Sequence, residues 1–288
     1  MTTAAARTDD GKLGAMSGTS EPWPTTVLVD GARHELPDPV VVEDPLEILL
    51  AAGDGPPVQL AITLRTPGHD RELVAGLLYA EGIVEGARDL IALDAVPAGE
   101  APGDRVVARL AAAANAVSPP ARTFLSTAAC GVCGKSSVDA VFAGGFPPLP
   151  AGPHVARALL LDLPRRMRER QEVFSRTGGL HAAALFDPDG ELLLLREDVG
   201  RHNAVDKVVG ALLLRDELPL GERLLVVSGR LGFEIVQKAL RAGVPLLAAV
   251  GAPSTLALRL AARAGMTVTG FLRDARCNVY TAGERITD

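Results

Sequence analysis

Aromatic side chains are scarce, at 3% of a chain that is 48% hydrophobic, so its core has to be built from Leu, Val and Ala. Three cysteines are too few, and odd in number, for a secreted disulfide scaffold. No run of about 18 uninterrupted apolar residues occurs, so no membrane-spanning helix is predicted. Excess positive charge is also missing. A net charge of −6 removes any global attraction to nucleic acid or to an anionic membrane. Residues 1–24 are rich in Thr, Ala, Gly and Ser and lack an apolar core segment, the composition of a disordered tail and not of a signal peptide. Together these absences predict a soluble, cytoplasmic chain with no nucleic-acid or membrane partner. What is present is length: 288 residues suffice for one large domain or two smaller ones, each with a core.

Proline and glycine clusters divide the chain. Residues 27–29 and 40–42 are predicted strands, with Asp30-Gly31 as turn punctuation between them. Leu46, Ile48 and Leu50 alternate as in a half-buried strand, and 60–64 is another, closed by Thr66-Pro67-Gly68. Residues 70–80 form a predicted helix with Leu73, Leu77 and Leu78 as its apolar stripe and Gly82 beyond its end. A strand at 106–110 completes a small α+β domain over 25–112. Residues 113–154 show little periodicity and much Pro, Gly and Ser, as in a mobile connector. From 155 to 288 the pattern changes. A helical region at 155–174, interrupted at Pro164, leads to strands 182–186 and 191–195 joined by the turn Asp187-Pro188-Asp189-Gly190. Helix 203–214, strand 224–227, helix 233–242, strand 246–250, helix 254–264 and strand 267–271 follow. This alternation predicts a three-layer α/β domain whose later strands run parallel through crossover helices.

Thiol chemistry concentrates in Ser126-Thr127-Ala128-Ala129-Cys130-Gly131-Val132-Cys133-Gly134-Lys135. Gly131 and Gly134 weaken any helix or strand there, because glycine loses the most backbone freedom on ordering. Lys135 places a cation nearby, which favours thiolate over thiol. The bland reading of Cys130 and Cys133 is a zinc half-site or a stabilising disulfide. A reactive sulfur site suits the glycine-flanked loop better.

In open α/β sheets, ligands gather beyond the carboxyl ends of the strands. Three segments at such places carry glycine plus arginine: residues 197–207, Ser228-Gly229-Arg230, and Gly270-Phe271-Leu272-Arg273-Asp274-Ala275-Arg276. Gly200, Gly229 and Gly270 allow close backbone approach to a ligand. Arg201, Arg230, Arg273 and Arg276 offer planar forks to phosphate or carboxylate. Helix N-termini near His202 and Leu231 add amide donors. Each feature has an ordinary explanation. Ser228-Gly229 makes a strand-to-helix turn, Arg273 and Arg276 are solvated charge, and Asp206 and Lys207 lie on a helix surface. Jointly they predict a site for a polyanion such as a nucleotide.

Thr177-Gly178-Gly179-Leu180-His181-Ala182-Ala183 is similar to the opening of a zinc deaminase site, which needs a Glu two residues after the His and a Pro-Cys-x-x-Cys further along. Ala183 stands at the Glu position, and Cys130 and Cys133 precede the histidine, so deaminase chemistry is not expected. His181 is then a satisfied histidine beside a strand or a ligand-contacting group at the same mouth.

In their order and joint presence these segments resemble the FdhD/NarQ family, sulfur-carrier proteins required for formate dehydrogenase activity. The resemblance covers nearly the whole chain from about Val40. It rests on Glu43-Asp44-Pro45-Leu46-Glu47-Ile48, residues 72–82 (Glu-Leu-Val-Ala-Gly-Leu-Leu-Tyr-Ala-Glu-Gly), the Cys130–Cys133 segment, residues 177–181 and 197–207, Ser228-Gly229-Arg230, and Arg-Cys-Asn-Val-Tyr ending at Tyr280. It implies an α/β (α+β) fold, with a C-terminal three-layer domain of cytidine-deaminase-like type beside the smaller N-terminal domain, and a homodimer. It also implies a sulfurtransferase working through a cysteine persulfide. Sulfur from a cysteine desulfurase is passed to bis-molybdopterin guanine dinucleotide before that cofactor enters the formate dehydrogenase catalytic subunit, and GDP-like nucleotides would mimic the cofactor. Cys130 is the expected carrier, with Cys133 assisting or resolving it. Phe271, Leu272, Arg273, Asp274, Ala275 and Arg276 are the expected cofactor contacts, with His181, Arg201, Asn203, Asp206, Ser228 and Arg230 beside them. No metal site is expected, and Cys277 is read as an apolar filler. Two alternatives stay open on the residues: a dithiol redox protein, and a zinc site of four cysteines joining two chains.

Overall fold

The longest apolar stretches fall between residues 181 and 273, and they form the centre of the molecule. The computed structural model describes residues 18–53, 55–96, 104–111, 124–126, 146–273 and 276–288. A six-stranded sheet has the order β10-β9-β11-β12-β13-β14. Its members are β9 (His181–Phe186), β10 (Leu192–Asp198), β11 (Leu224–Val227), β12 (Leu246–Ala249), β13 (Thr267–Arg273) and β14 (Arg276–Thr281). β11, β12 and β13 are parallel, linked by crossover helices α5 (Phe233–Arg241) and α6 (Thr255–Ala264). Ser254 caps α6 by accepting a hydrogen bond from Ala257 N. β9, β10 and β14 run antiparallel to their neighbours.

Two apolar layers flank this sheet, because successive side chains along a buried strand point to opposite faces. Ala182, Ala184, Phe186, Leu224 and Val226 face α2 (Arg157–Glu169), which supplies Leu160, Leu163 and Met167. Ala183, Leu185, Leu225 and Val227 face the other way, toward α4 (Arg201–Leu214), α5 and α6. The expected three-layer α/β arrangement of this part is present. α2 runs through Pro164 without stopping, and the break falls at Gln171, before α3 (Glu172–Thr177). Burial of Leu160, Leu163 and Met167 outweighs the one backbone hydrogen bond a proline removes.

The N-terminal half forms a second, five-stranded sheet of order β5-β6-β3-β4-β7. It contains β3 (Asp44–Ala52), β4 (Val58–Arg65), β5 (Leu90–Val96), β6 (Asp104–Leu110) and β7 (Phe124–Ser126). Helix α1 (Asp70–Ala80) covers the face bearing Leu46, Ile48 and Val106 and packs directly on α4. A Cβ on Gly76 would stand 1.9 Å from the Asp206 carbonyl oxygen, and one on Gly210 would stand 1.8 Å from that of Glu72. Only glycine permits this crossing. A single apolar cluster therefore runs from the five-stranded sheet through α1 and α4 into the six-stranded one.

β1 (Ser20–Val29) and β2 (Ala32–Val41) pair as a hairpin around Asp30 and Gly31, whose φ values of 50° and 77° fit a two-residue turn with both central residues left-handed. β1 begins at Ser20, inside the stretch 1–24 read as a tail. The short strands β8 (Val155–Ala156) and β15 (Ile286–Thr287) pair in parallel. Among the described residues, no helix is long and apolar enough to cross a membrane.

Candidate functional site

The turns after β11 and β12 meet the irregular second half of β13 at one end of the six-stranded sheet. Gly251 lies at their centre. A Cβ there would stand 2.6 Å from Gly229 O and 2.9 Å from Arg230 Cα, so glycine lets the second turn lie against the first. A Cβ on Gly270 would be 3.0 Å from Gly251 O and from Pro253 Cδ, so glycine lets this part of β13 lie against the second turn. Gly270 thus makes room for neighbouring protein backbone, whereas the sequence reading assigned that room to a ligand. Phe271 follows with φ of 53°, and its N–H donates to Gly251 O at 3.1 Å. A left-handed backbone on a bulky residue is an outlier that costs roughly 1–3 kcal/mol, and such outliers gather at functional sites.

Because β9 is antiparallel to β11, the first residue of β9, His181, stands at this same end. Ser228 N bonds Ala182 O at 3.0 Å, Ser228 Oγ accepts from Ala182 N at 2.9 Å, and the hydroxyl lies 3.5 Å from His181 Nδ1. Gly229 borders His181 Nδ1 and the Arg201 side chain. Burial, with Arg201, His202 and Arg230 close by, pushes the His181 imidazole below its ordinary pKa, although Asp198 opposes the shift. At neutral pH this histidine is an uncharged donor–acceptor among cations. The Arg201 Nε atom is buried without a hydrogen-bond partner among the described residues. An unpaired guanidinium donor at a glycine-lined mouth fits an anionic ligand. Arg273 and Arg276 face each other across the β13–β14 hairpin, and with Phe271 they line a cavity of about 150 Å³.

The structure thus brings together His181, Arg201, Ser228 and Arg230, and groups Phe271 with Arg273 and Arg276. Other candidates point elsewhere. Asp206 is 2% exposed and ion-paired with Lys238 under α5, and Leu272 is fully buried in the cluster facing α2. Asn203 donates to Leu64 O at 2.8 Å and to Asp198 Oδ1 at 2.9 Å, which turns its amide toward the five-stranded sheet. The N-terminus of α4 already has a carboxylate, since Asp198 Oδ1 accepts from Gly200 N at 2.8 Å. Cys130, Cys133, Asp274 and Ala275 lie outside the described residues, as does any zinc reading of the paired cysteines. Among the described residues no group of His, Cys, Asp and Glu is arranged to hold a metal ion. Cys277 is half-buried against the α2-side cluster. Two features escaped sequence reasoning. His202 Nε2 lies 3.0 Å from Glu234 Oε2, tying the first turns of α4 and α5, and Asp198 pairs with Lys207 beneath the mouth. No local pattern marks either pair, because their partners meet only in the folded chain.

Residues 41–287 match the family model described as the FdhD/NarQ family. The chain belongs to this family. Among its FdhD/NarQ relatives, the sulfur carrier protein FdhD of Streptomyces coelicolor is 48% identical over 264 residues, covering 89% of this chain and 92% of the relative. The protein of the same name from Mycobacterium tuberculosis is 49% identical over 264 residues, covering 87% and 92%. A more distant one, from Saccharolobus solfataricus, is 40% identical over 257 residues, covering 89% and 94%. The crystal structure of a formate dehydrogenase accessory protein from Desulfotalea psychrophila superposes with a TM-score of 0.72 at 27% identity, covering 94% of this chain and 100% of that one.

Proposed function

We propose that this chain is a sulfur carrier for formate dehydrogenase maturation. It takes persulfide sulfur from a cysteine desulfurase onto Cys130 and delivers it to bis-molybdopterin guanine dinucleotide docked at the mouth described above. The names of its relatives support the sulfur-carrier role. The observation that carries the rest is the register of β7. It runs parallel to β4, with Ser126 opposite Thr63, so both strands end toward the turn that bears Arg201. Cys130 follows four residues after Ser126, and an extended chain of that length reaches about 14 Å.

In the loading step the Cys130 thiolate attacks the outer sulfur of the desulfurase persulfide. The desulfurase S–S bond breaks, its cysteine leaves as thiolate, and Cys130 becomes the persulfide. In delivery, attack by the Cys133 thiolate on the inner sulfur of Cys130 closes a Cys130–Cys133 disulfide and expels hydrosulfide toward the cofactor. Two equivalents of an external thiol then reduce the disulfide to the dithiol and leave joined as their own disulfide. The guanidinium groups serve the phosphates, and neutral His181 and Ser228 supply hydrogen bonds without adding charge. The C-terminal sheet with α2 on one face and α4 to α6 on the other fits a cytidine-deaminase-like domain, with residues 25–112 as the smaller unit. The working form we propose is a cytoplasmic homodimer that meets the formate dehydrogenase catalytic subunit.

Intact mass after incubation with desulfurase and cysteine tests this reading. Wild-type protein should gain one sulfur, about 32 Da, removable by reductant, and Cys130→Ala should gain none. A wild-type chain that gains no sulfur sinks the proposal. Insulin reduction without such an adduct would instead identify a dithiol redox protein.

A further inference from the structure

Helices α4 and α5 run the same way, because β10 and β11, the strands they follow, are both antiparallel to β9. Two ion pairs join them. His202 Nε2 meets Glu234 Oε2 at 3.0 Å in the first turns, and Lys238 Nζ meets Asp206 Oδ1 at 2.5 Å one turn further along. Each helix contributes residues four apart, the spacing that stacks side chains along one face. The polarity alternates, with base then acid on α4 and acid then base on α5. A slip of one turn in one direction would set Asp206 beside Glu234, two carboxylates together. A slip the other way would set His202 beside Lys238, two donors with no acceptor between them. Setting register is the best-attested use of polar pairs in packed helices. All four side chains are shielded, at 13% and 15% exposure for His202 and Glu234 and 3% and 9% for Asp206 and Lys238.

We propose that His202 and Glu234 are positioning residues, the outer rung of a two-rung ladder that holds Arg201 and Arg230 at the spacing an anion needs. The proposal rests on the mouth binding phosphates, as read above. Arg201 opens α4, and Arg230 stands just before the Gly232 that caps α5. With Arg201 Nε unbonded among the described residues, the direction of that side chain depends on where the first turn of α4 lies. The inner rung, Asp206 with Lys238, sets the register of the two helices, and the outer rung pins their first turns, where a helix lacks its own hydrogen bonds. By charge alone Glu234 opposes an anion near the helix N-termini. Its bond to His202, the neighbour of Arg201 in the chain, works in the anion's favour through geometry. The two effects have opposite signs, so they separate by experiment.

GDP serves as the probe anion, titrated by calorimetry alongside thermal unfolding of each variant. Glu234→Gln removes the charge but keeps an oxygen that accepts from His202. Glu234→Ala removes the same charge and the contact with it. Electrostatics alone would help both variants equally. With the ladder, Glu234→Gln binds GDP as tightly as wild type or tighter, whereas Glu234→Ala binds about fivefold more weakly than Glu234→Gln. Both should unfold within about 3 °C of wild type, since a single partly exposed pair adds little stability. His202→Ala should also weaken GDP binding, and adding Glu234→Ala to it should weaken binding no further, because the rung is lost only once. If Glu234→Ala does not fold, His202→Ala takes its place, set against His202→Gln, which keeps a donor where Nε2 stood; the same split is expected. Equal affinities for Glu234→Gln and Glu234→Ala, or losses that add in the double variant, overturn the ladder. A wild-type chain that binds no GDP overturns the mouth together with the ladder. One that binds GDP with the expected split yet takes up no sulfur sinks the carrier reading and leaves the ladder standing.

Discussion

Phe271 holds a backbone conformation that its side chain makes costly, and the compensating contact is the bond from its own N–H to Gly251 O. Asn tolerates this region far better than Phe. On the proposed cofactor docking, Phe271→Asn should leave the melting temperature unchanged or raised, yet weaken binding of GDP by about tenfold as the ring is lost from beside Arg273 and Arg276. Calorimetric titration alongside thermal unfolding checks both halves. Arg230→Ala should weaken GDP by roughly tenfold or more, the worth of one charge-assisted hydrogen bond, and should leave sulfur loading of Cys130 intact. His181 gives a pH signature. Its folded pKa lies below the ordinary 6.5, so the unfolded chain takes up the proton first and this contribution to stability declines as pH falls below 6.5. His181→Asn should flatten that part of the stability profile between pH 7 and 5.

At the scale of elements, the crossing of α1 and α4 decides most. Gly76→Ala or Gly210→Ala drives a methyl group into a neighbouring carbonyl, and each should lower the melting temperature by roughly 5–10 °C. Beside that crossing, Glu72 binds Arg196 of β10 and His69. Burial works to raise the Glu72 pKa, but the hydrogen bonds from Arg196 and His69 win and hold it at about 2. Its contribution to stability is present above 4.5 and lost as pH falls from there toward about 2. Glu72→Gln should remove that acid-dependent part of the unfolding curve. Helices such as α1, and parallel strands such as β11 and β12, were legible because their apolar periodicity is strong over many residues. β5 and β14 were not. Leu90–Val96 mixes Asp94 with exposed Ile91 and Val96, and Arg276–Thr281 is an edge strand whose polar residues conceal the alternation. Of the mouth, Arg201, Ser228 and Arg230 were legible because each lies at the end of a readable strand or the start of a readable helix. The Asp206–Lys238 pair was not, since helix-surface spacing and helix-buried spacing look alike until the partner helix is in place.

At the scale of the whole molecule, one apolar cluster of the described residues spans the five- and six-stranded sheets, with Leu46 and Ile48 at one end and Leu247 and Val268 at the other, while a second packs under α2. Heat should therefore unfold it in a single step when followed by circular dichroism at far-ultraviolet wavelengths. A fragment beginning at residue 146 would expose the α4 face that α1 covers, and should aggregate or remain partly folded. The β1–β2 arm stands apart from that cluster, and it carries Trp23, 58% exposed and the sole tryptophan of the chain. Intrinsic indole emission is consequently an optical tag for the arm and is nearly blind to the interior. A shift in its wavelength with protein concentration would register burial of the arm against another surface, whatever the core is doing.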